Sequence, residues 1–337
     1  MNISKERVKN HCMTFLFPIG MYAVFALISL LVGNQFFFTS YTLNGIFQDS
    51  VLTTVVALAI AIPLSGGRWD FGPGAIALLG AIIGCNIGMS LHLNVFGILL
   101  LCIVSCMVLA FVEGVLYVVL KVPNMIISLG IVMLYESLSG MLNNGLGANI
   151  FANDADYTTH ILSVSKAPLC YILLLLVMII VHFLLYKTKF GYDTRSLGAH
   201  AKLAVNSGVH EKKNILLTYL LVGFLLGIAA MLNACGGKIE PASNLSSTAL
   251  MFSSMAPVLI GLFLAEYSNM PWGIFMGAVG MEVFSYGMNS FGVDGSLQTI
   301  VTGIVLAFIM AYINDKDKVK NFILNLFMRK ELGKHEI

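Results

Sequence analysis

Charge is what this chain has least of. Only 11% of its 337 residues are Asp, Glu, Lys or Arg, where a soluble globular domain carries about 25%. With 58% hydrophobic residues and a mean hydropathy of +0.88, a soluble fold is excluded and an integral membrane protein remains. No polar stretch is long enough to form a soluble catalytic domain. The sequence also lacks a Gly-x-x-x-x-Gly-Lys-Ser/Thr phosphate loop, an HExxH metal motif and any nucleophile–base constellation. Nothing therefore points to enzymatic chemistry, to a cofactor or to nucleic acid. The cysteines Cys12, Cys85, Cys102, Cys106, Cys170 and Cys235 all sit in or beside apolar runs. Cys102 and Cys106 share a helix face, but no His or carboxylate stands at ligand spacing beside them. They read as small packing residues, and no metal site is expected.

What the chain has instead is apolar runs of spanning length. A membrane-crossing helix needs about 20 mostly apolar residues, which places about ten spans near 11–33, 46–64, 72–90, 95–120, 125–142, 168–186, 213–235, 249–266, 272–290 and 297–314. The fold class is all-α and polytopic. The first run, Met13 to Val32, is longer than the roughly 7–15 apolar residues of a secretory signal and reads as a retained span.

Basic residues set the orientation, because they collect on the cytoplasmic side. They cluster at Lys5, Arg7 and Lys9, in the segment 187–212 with its flank (Lys187, Lys189, Arg195, Lys202, Lys212, Lys213), and in the tail 315–337 from Lys316 to Lys334. An even number of spans puts all three on one side, with both termini cytoplasmic. The opposite-side segment 143–167 carries Asp154 and Asp156 against Lys166. The whole of 1–337 is one transmembrane domain in this reading.

Two interruptions stand out. Ser65-Gly66-Gly67-Arg68-Trp69-Asp70-Phe71-Gly72-Pro73-Gly74 breaks a long apolar stretch. Irregular backbone inside a membrane persists only where protein or a water-filled cavity shields it, so this is either a surface loop or a broken helix beside a solute path. Arg68 is placed to neutralise Asp70, and Trp69, Asp70 and Phe71 are candidate path-lining groups. The second interruption is the cytoplasmic segment 187–212. Its stretch Ala199 to Val205 favours a short helix that Gly208 would stop. It would either dock in a partner's groove or simply reverse the chain.

The segment from Gly191 to Gly208 resembles the cytoplasmic loop of ABC importer permeases of the ribose/xylose/galactose type, in the branched-chain amino acid/monosaccharide permease superfamily. Gly191, Gly198, Ala201, Ala204, Ser207 and Gly208 match, and His200 stands where an Asn is usual. Lys121-Val122-Pro123-Asn124 through Ser128-Leu129-Gly130 resembles another family stretch, with Asn124 in place of a second proline. Pro271-Trp272-Gly273 to Gly280, Gly287-Met288-Asn289 and Gln298 to Gly303 resemble the last two spans. Gly66, Gly67, Asp70 and Gly74 match a Gly-Gly-x-Asp-Leu-Ser-x-Gly pattern, with one extra residue, Phe71 for Leu and Gly72 for Ser. A Gly-Gly-Thr turn usual before the penultimate span keeps only Gly261 of its first glycine pair.

The resemblance implies a permease subunit in a bacterial cell membrane that carries a sugar or nucleoside-like solute and performs no chemistry itself. It implies a cytoplasmic ATPase on a separate chain, an extracytoplasmic solute-binding protein and a second permease chain in the lipid bilayer. Carried over, Gly198, Ala201, Ala204, Ser207 and Gly208 form the coupling segment. Gly66, Gly67, Gly74, Pro123, Gly273 and Gly277 are hinge or helix-packing positions.

Ionisable groups inside spans are functional candidates, since an unpaired charge there costs several kcal/mol. Glu136, near Asn143, and Glu282, two turns from Asn289, are the mid-span carboxylates and join the candidate path. Glu113 and His182 lie toward the cytoplasmic ends and read as reaching the interface. The same carboxylates support the alternative of an ion-coupled secondary transporter, and a membrane-embedded enzyme or scaffold is a third reading.

Overall fold

The computed structural model describes residues 13–33 and 36–314. The basic N-terminus and the basic tail 315–337 lie outside the described residues. The described residues are helical apart from connections and one isolated bridge, Ala148 to Ile239. In chain order the helices are α1 (Leu16–Val32), α2 (Ser40–Ser65), α3 (Pro73–Ser90), α4 (Val95–Leu120), α5 (Asn124–Met141), α6 (Ala155–Leu162), α7 (Leu169–Lys187), α8 (Lys189–Asn206), α9 (Glu211–Gly236), α10 (Thr248–Leu264), α11 (Met270–Ser290) and α12 (Gly295–Asn314).

Each apolar run expected to span has its own helix. Among the described residues six helical segments are long and apolar enough to cross a membrane, while the apolar α1 and α10 are shorter. The largest boundary difference is at α2, which starts at Ser40 rather than near 46. Its polar first turns are held by Thr39, whose hydroxyl accepts the Thr42 N–H at 3.3 Å, a side-chain N-cap that hydropathy does not register.

Burial sorts the helices. The most apolar 18-residue window of α9 is 78% buried and that of α3 is 72% buried, against 28% for α4. So α9 and α3 form the centre, and α4 turns Leu100, Val104 and Val108 outward as a lipid-facing stripe. Cys85, Cys102, Cys106, Cys170 and Cys235 are free and buried, as expected of packing residues.

Contacts define two ends of the bundle. At one, α8 meets Ser65 and Gly66 at the end of α2, and Tyr186 Oη accepts the Met270 N–H at 3.0 Å. At the other, Asn86 donates to the Gly147 carbonyl, Ala148 pairs with Ile239, and Tyr157 donates to the Leu93 carbonyl. The stretch between α9 and α10 leaves that second end, stays exposed at Glu240 and 243–246, and turns inward at Ser247. There Leu245 and Ser247 meet Glu136, about 18 Å along α5 from its start at 1.5 Å per residue.

Candidate functional site

The break after α2 folds as a short, largely buried turn. Gly67 takes φ +76°, a left-handed conformation that favours glycine. Three backbone bonds from Gly66, Gly67 and Arg68 back to Pro63 and Leu64 then close the helix end. Pro73 restarts the chain as the first residue of α3, where its missing N–H costs nothing.

Four consecutive residues of this turn point to four different places. Arg68 does not pair with Asp70: both guanidinium Nη atoms donate to Asn214 Oδ1 at 3.3 Å. Asn214 in turn donates to Thr194 Oγ1 at 2.8 Å, which ties the turn to α8. Among the described residues the ion pair found is Lys238 with Glu240. The Trp69 carbonyl accepts from Asn124 Nδ2 at 2.8 Å, and Tyr219 Oη donates to Asn124 Oδ1 at 2.8 Å. The asparagine that replaces a family proline is therefore a buried hub between the turn, α5 and α9.

Asp70 accepts the Gly72 N–H at 2.8 Å in a buried setting. Burial raises its carboxyl above the ordinary range, and the Gly72 hydrogen bond opposes that shift. Phe71 packs its ring against Phe252 of α10 at 6.0 Å between centroids.

Glu113 departs from expectation. It is fully buried rather than reaching the interface, and its carboxyl interacts with that of Asp70, so the two acids form a buried pair. Its carboxyl lies against Gly72, where a side chain would collide with it. Glycine in place of the family serine is what makes room for this acid. His182 stacks on Tyr186 at 5.1 Å on α7.

A cavity of about 800 Å³ opens between α2, α10, α11 and α12. Thr53, Trp69, Phe252, Ser253, Glu282 and Gln298 line it. Glu282 Oε1 accepts the Thr53 hydroxyl at 2.5 Å, and Gln298 Nε2 donates to Ser285 Oγ at 2.6 Å. Of the candidate path residues, Trp69 and Glu282 come together here, and Phe71 reaches the wall through Phe252.

The others lie elsewhere. Glu136 is buried, with Oε2 accepting from Leu245 N and Oε1 from Ser247 N, both at 2.8 Å. It holds irregular backbone in place. Asn143 is exposed and donates to the Gly147 carbonyl at the far end of the bundle. Asn289 is exposed near the end of α11.

The hinge and packing glycines are occupied as close approaches. Gly74 lies beneath the Ser247 carbonyl, leaving no room for a side chain. Gly273 and Gly277 bring α11 onto α10, where a Cβ on Gly277 would lie 2.8 Å from the Pro257 carbonyl. Gly261, the one glycine kept from the family pair, meets Ile274 at the same crossing. Pro123 occupies the position just before α5.

The segment 187–212 holds a longer helix than its propensity suggests. α8 runs from Lys189 to Asn206 with a break at His200, whose φ is −153° and ψ is 89°. Its first half is tied to the bundle, because Gly198 packs directly on the Ser65 carbonyl. Beyond the break Leu203 is 63% exposed, while Ala204 is turned inward. Ala201 and Ser207 are exposed, and Gly208 ends the helix at φ +92°.

A seven-residue turn that packs on α8 on one side and lines a cavity on the other is suited to relaying movement across a membrane domain. The family described as "branched-chain amino acid transport system / permease component" matches residues 41–310. The chain belongs to this family. The galactose/methyl galactoside import permease protein MglC of Escherichia coli is 23% identical to this permease over 323 residues, covering 90% of this chain and 96% of the relative. The ribose import permease protein RbsC of Escherichia coli is 23% identical, covering 88% and 92%. The autoinducer 2 import system permease protein LsrC of Photorhabdus luminescens is 22% identical, covering 87% of each chain. No solved structure matches the permease.

Proposed function

We propose that this permease is the membrane subunit of an ATP-driven ABC importer that carries a sugar or nucleoside-like solute, with ATP hydrolysis on a separate cytoplasmic chain. The observation that carries the reading is the turn Gly66–Gly72. It meets the protruding α8 through Gly198 and the Arg68–Asn214–Thr194 bonds, and it lines the cavity with Trp69. Movement imposed on α8 would reach the cavity through this one connection.

In this reading the chain crosses the membrane ten times with both termini cytoplasmic, and the ATPase grips α8 beyond its break. Exposed Leu203 and Val205 offer an apolar surface there. The solute-binding protein faces the opposite end, around 143–165 and 237–247. A second permease chain closes the cavity, which is open beside the exposed Leu297 and Ile300 of α12. The relatives import galactose, ribose and autoinducer 2 by name, and a largely apolar cavity with aromatic walls and scattered hydroxyls suits the ring of a related solute.

Replacing the exposed Leu203 by Arg tests the coupling surface more cleanly than a change at the inward-facing Ala204. ATP-coupled uptake falls at least about tenfold, the loss of roughly 1.4 kcal/mol or more of docking energy, while thermal stability stays unchanged. Uptake that continues without ATP hydrolysis and follows an ion gradient would replace this reading with the secondary transporter.

A further inference from the structure

The charge around the cavity is one-sided. Glu282 is its ionisable lining residue, and no Lys, Arg or His lines it among the described residues. Four of the hydroxyls on the wall donate to the protein. Thr53 donates to Glu282, Ser253 to the Leu250 carbonyl, Thr299 to the Gly295 carbonyl and Thr302 to the Gln298 carbonyl. Gln298 uses its amide N–H on Ser285, which leaves the amide oxygen as its accepting end. Each of these groups offers lone pairs to whatever enters.

Two aromatic faces, Trp69 and Phe252, border the same space. Their negative π-faces favour a cation and disfavour an anion. A carboxylate, a row of acceptors and aromatic faces, with no basic residue to balance them, together make a surface complementary to donor-rich, positively charged groups. Like charge placed against Glu282 is disfavoured in such a setting.

We propose that Glu282, held by Thr53, is the specificity determinant of the cavity, selecting solutes that carry a cationic amino group on a polyhydroxylated body and rejecting their anionic counterparts. This rests on reading the cavity as the solute path. It adds the substrate class and the residue that enforces it.

The chain contains two tryptophans, Trp69 and Trp272, so a Trp272→Phe background leaves Trp69 as the fluorescent reporter on the cavity wall. Full-length permease in lipid nanodiscs is titrated with D-galactosamine, D-galactose and D-galacturonate at about pH 7, where an amine of this kind holds its proton and a carboxylate has lost its own. These probes share a ring and differ in charge.

Galactosamine quenches saturably, with a Kd at least about tenfold below that of galacturonate. Glu282→Gln removes most of that ratio. Thr53→Val, which frees the carboxylate from its orienting hydroxyl, shifts the ratio in the same direction. Equal binding of galacturonate and galactosamine overturns the proposal, as does a ratio unchanged in Glu282→Gln or the absence of saturable quenching by any probe. None of those outcomes touches the ATP-coupled uptake lost in Leu203→Arg, so failure here is distinguishable from failure of the importer reading.

Discussion

Glu136→Ala destabilises the permease by about 3–5 kcal/mol, and the loss of uptake follows the loss of folded protein rather than a change in solute preference. The stretch before α10 is irregular and turns inward at Ser247, and α5 supplies acceptors for N–H groups that its own turns leave over. Glu136 takes the N–H groups of Leu245 and Ser247, and Ser139 Oγ takes that of Ala242 at 3.2 Å. Hydrogen bonds to a charged acceptor contribute about 1.5–3 kcal/mol each, and a buried N–H left unpaired costs about 1–3 kcal/mol. Ser247 is buried, so its N–H has no water to fall back on.

Alanine removes both acceptors at once and leaves both donors stranded. Glutamine keeps one oxygen, so Glu136→Gln should lose about half as much. Thermal unfolding of the purified chain in detergent, with folded yield as a second readout, checks the ordering. An alanine variant as stable as the parent would show that the segment is held from elsewhere, and Glu136 would return to the pool of path candidates.

Glu136 and Glu282 show where sequence stops being informative. Each is a mid-span carboxylate with polar neighbours, and nothing local separates them. One faces backbone donors from a segment more than a hundred residues on, the other faces Thr53 and a cavity. That difference is tertiary, set by which helix packs opposite. The spans were legible because their signal, length and hydropathy, is local: α4 occupies 95–120 as expected.

The turn after α2 was legible as an anomaly but not in its wiring. Arg68 and Asp70 look like a natural pair at two residues' separation, yet the arginine reaches Asn214 across the bundle instead. Glu113 sits near a helix end, a position that suggests escape to the interface, yet it is buried against Gly72, where the lack of a side chain leaves it room. Asn124 carried a usable signal, a polar group in a proline's place with two buried partners.

Gly198→Ala uncouples transport. A Cβ at this position would be driven into the Ser65 carbonyl and would lie 3.3 Å from the Gly66 Cα. Both obstacles are backbone, so no side-chain rotation relieves them and α8 must back away from the turn. Overpacking of this kind costs about 1–3 kcal/mol. The bundle survives that, because the central packing of α9 and α3 lies away from this contact. The bonds from Thr194 through Asn214 to Arg68 depend on the same approach of α8, and they are the polar link between the protruding helix and the turn that carries Trp69.

The expected result is therefore a permease that inserts, folds and still assembles with its ATPase, but whose uptake per ATP hydrolysed falls about tenfold or more. Gly208→Ala is the contrasting change. It strains a residue at φ +92° with no neighbour within 4 Å and costs about 1–2 kcal/mol locally, without touching the turn, so the uptake-to-hydrolysis ratio holds. Measuring that ratio for both variants separates relay from mere helix integrity. A Gly198→Ala permease with the parental ratio would show that motion reaches the cavity by a route other than Ser65 to Trp69.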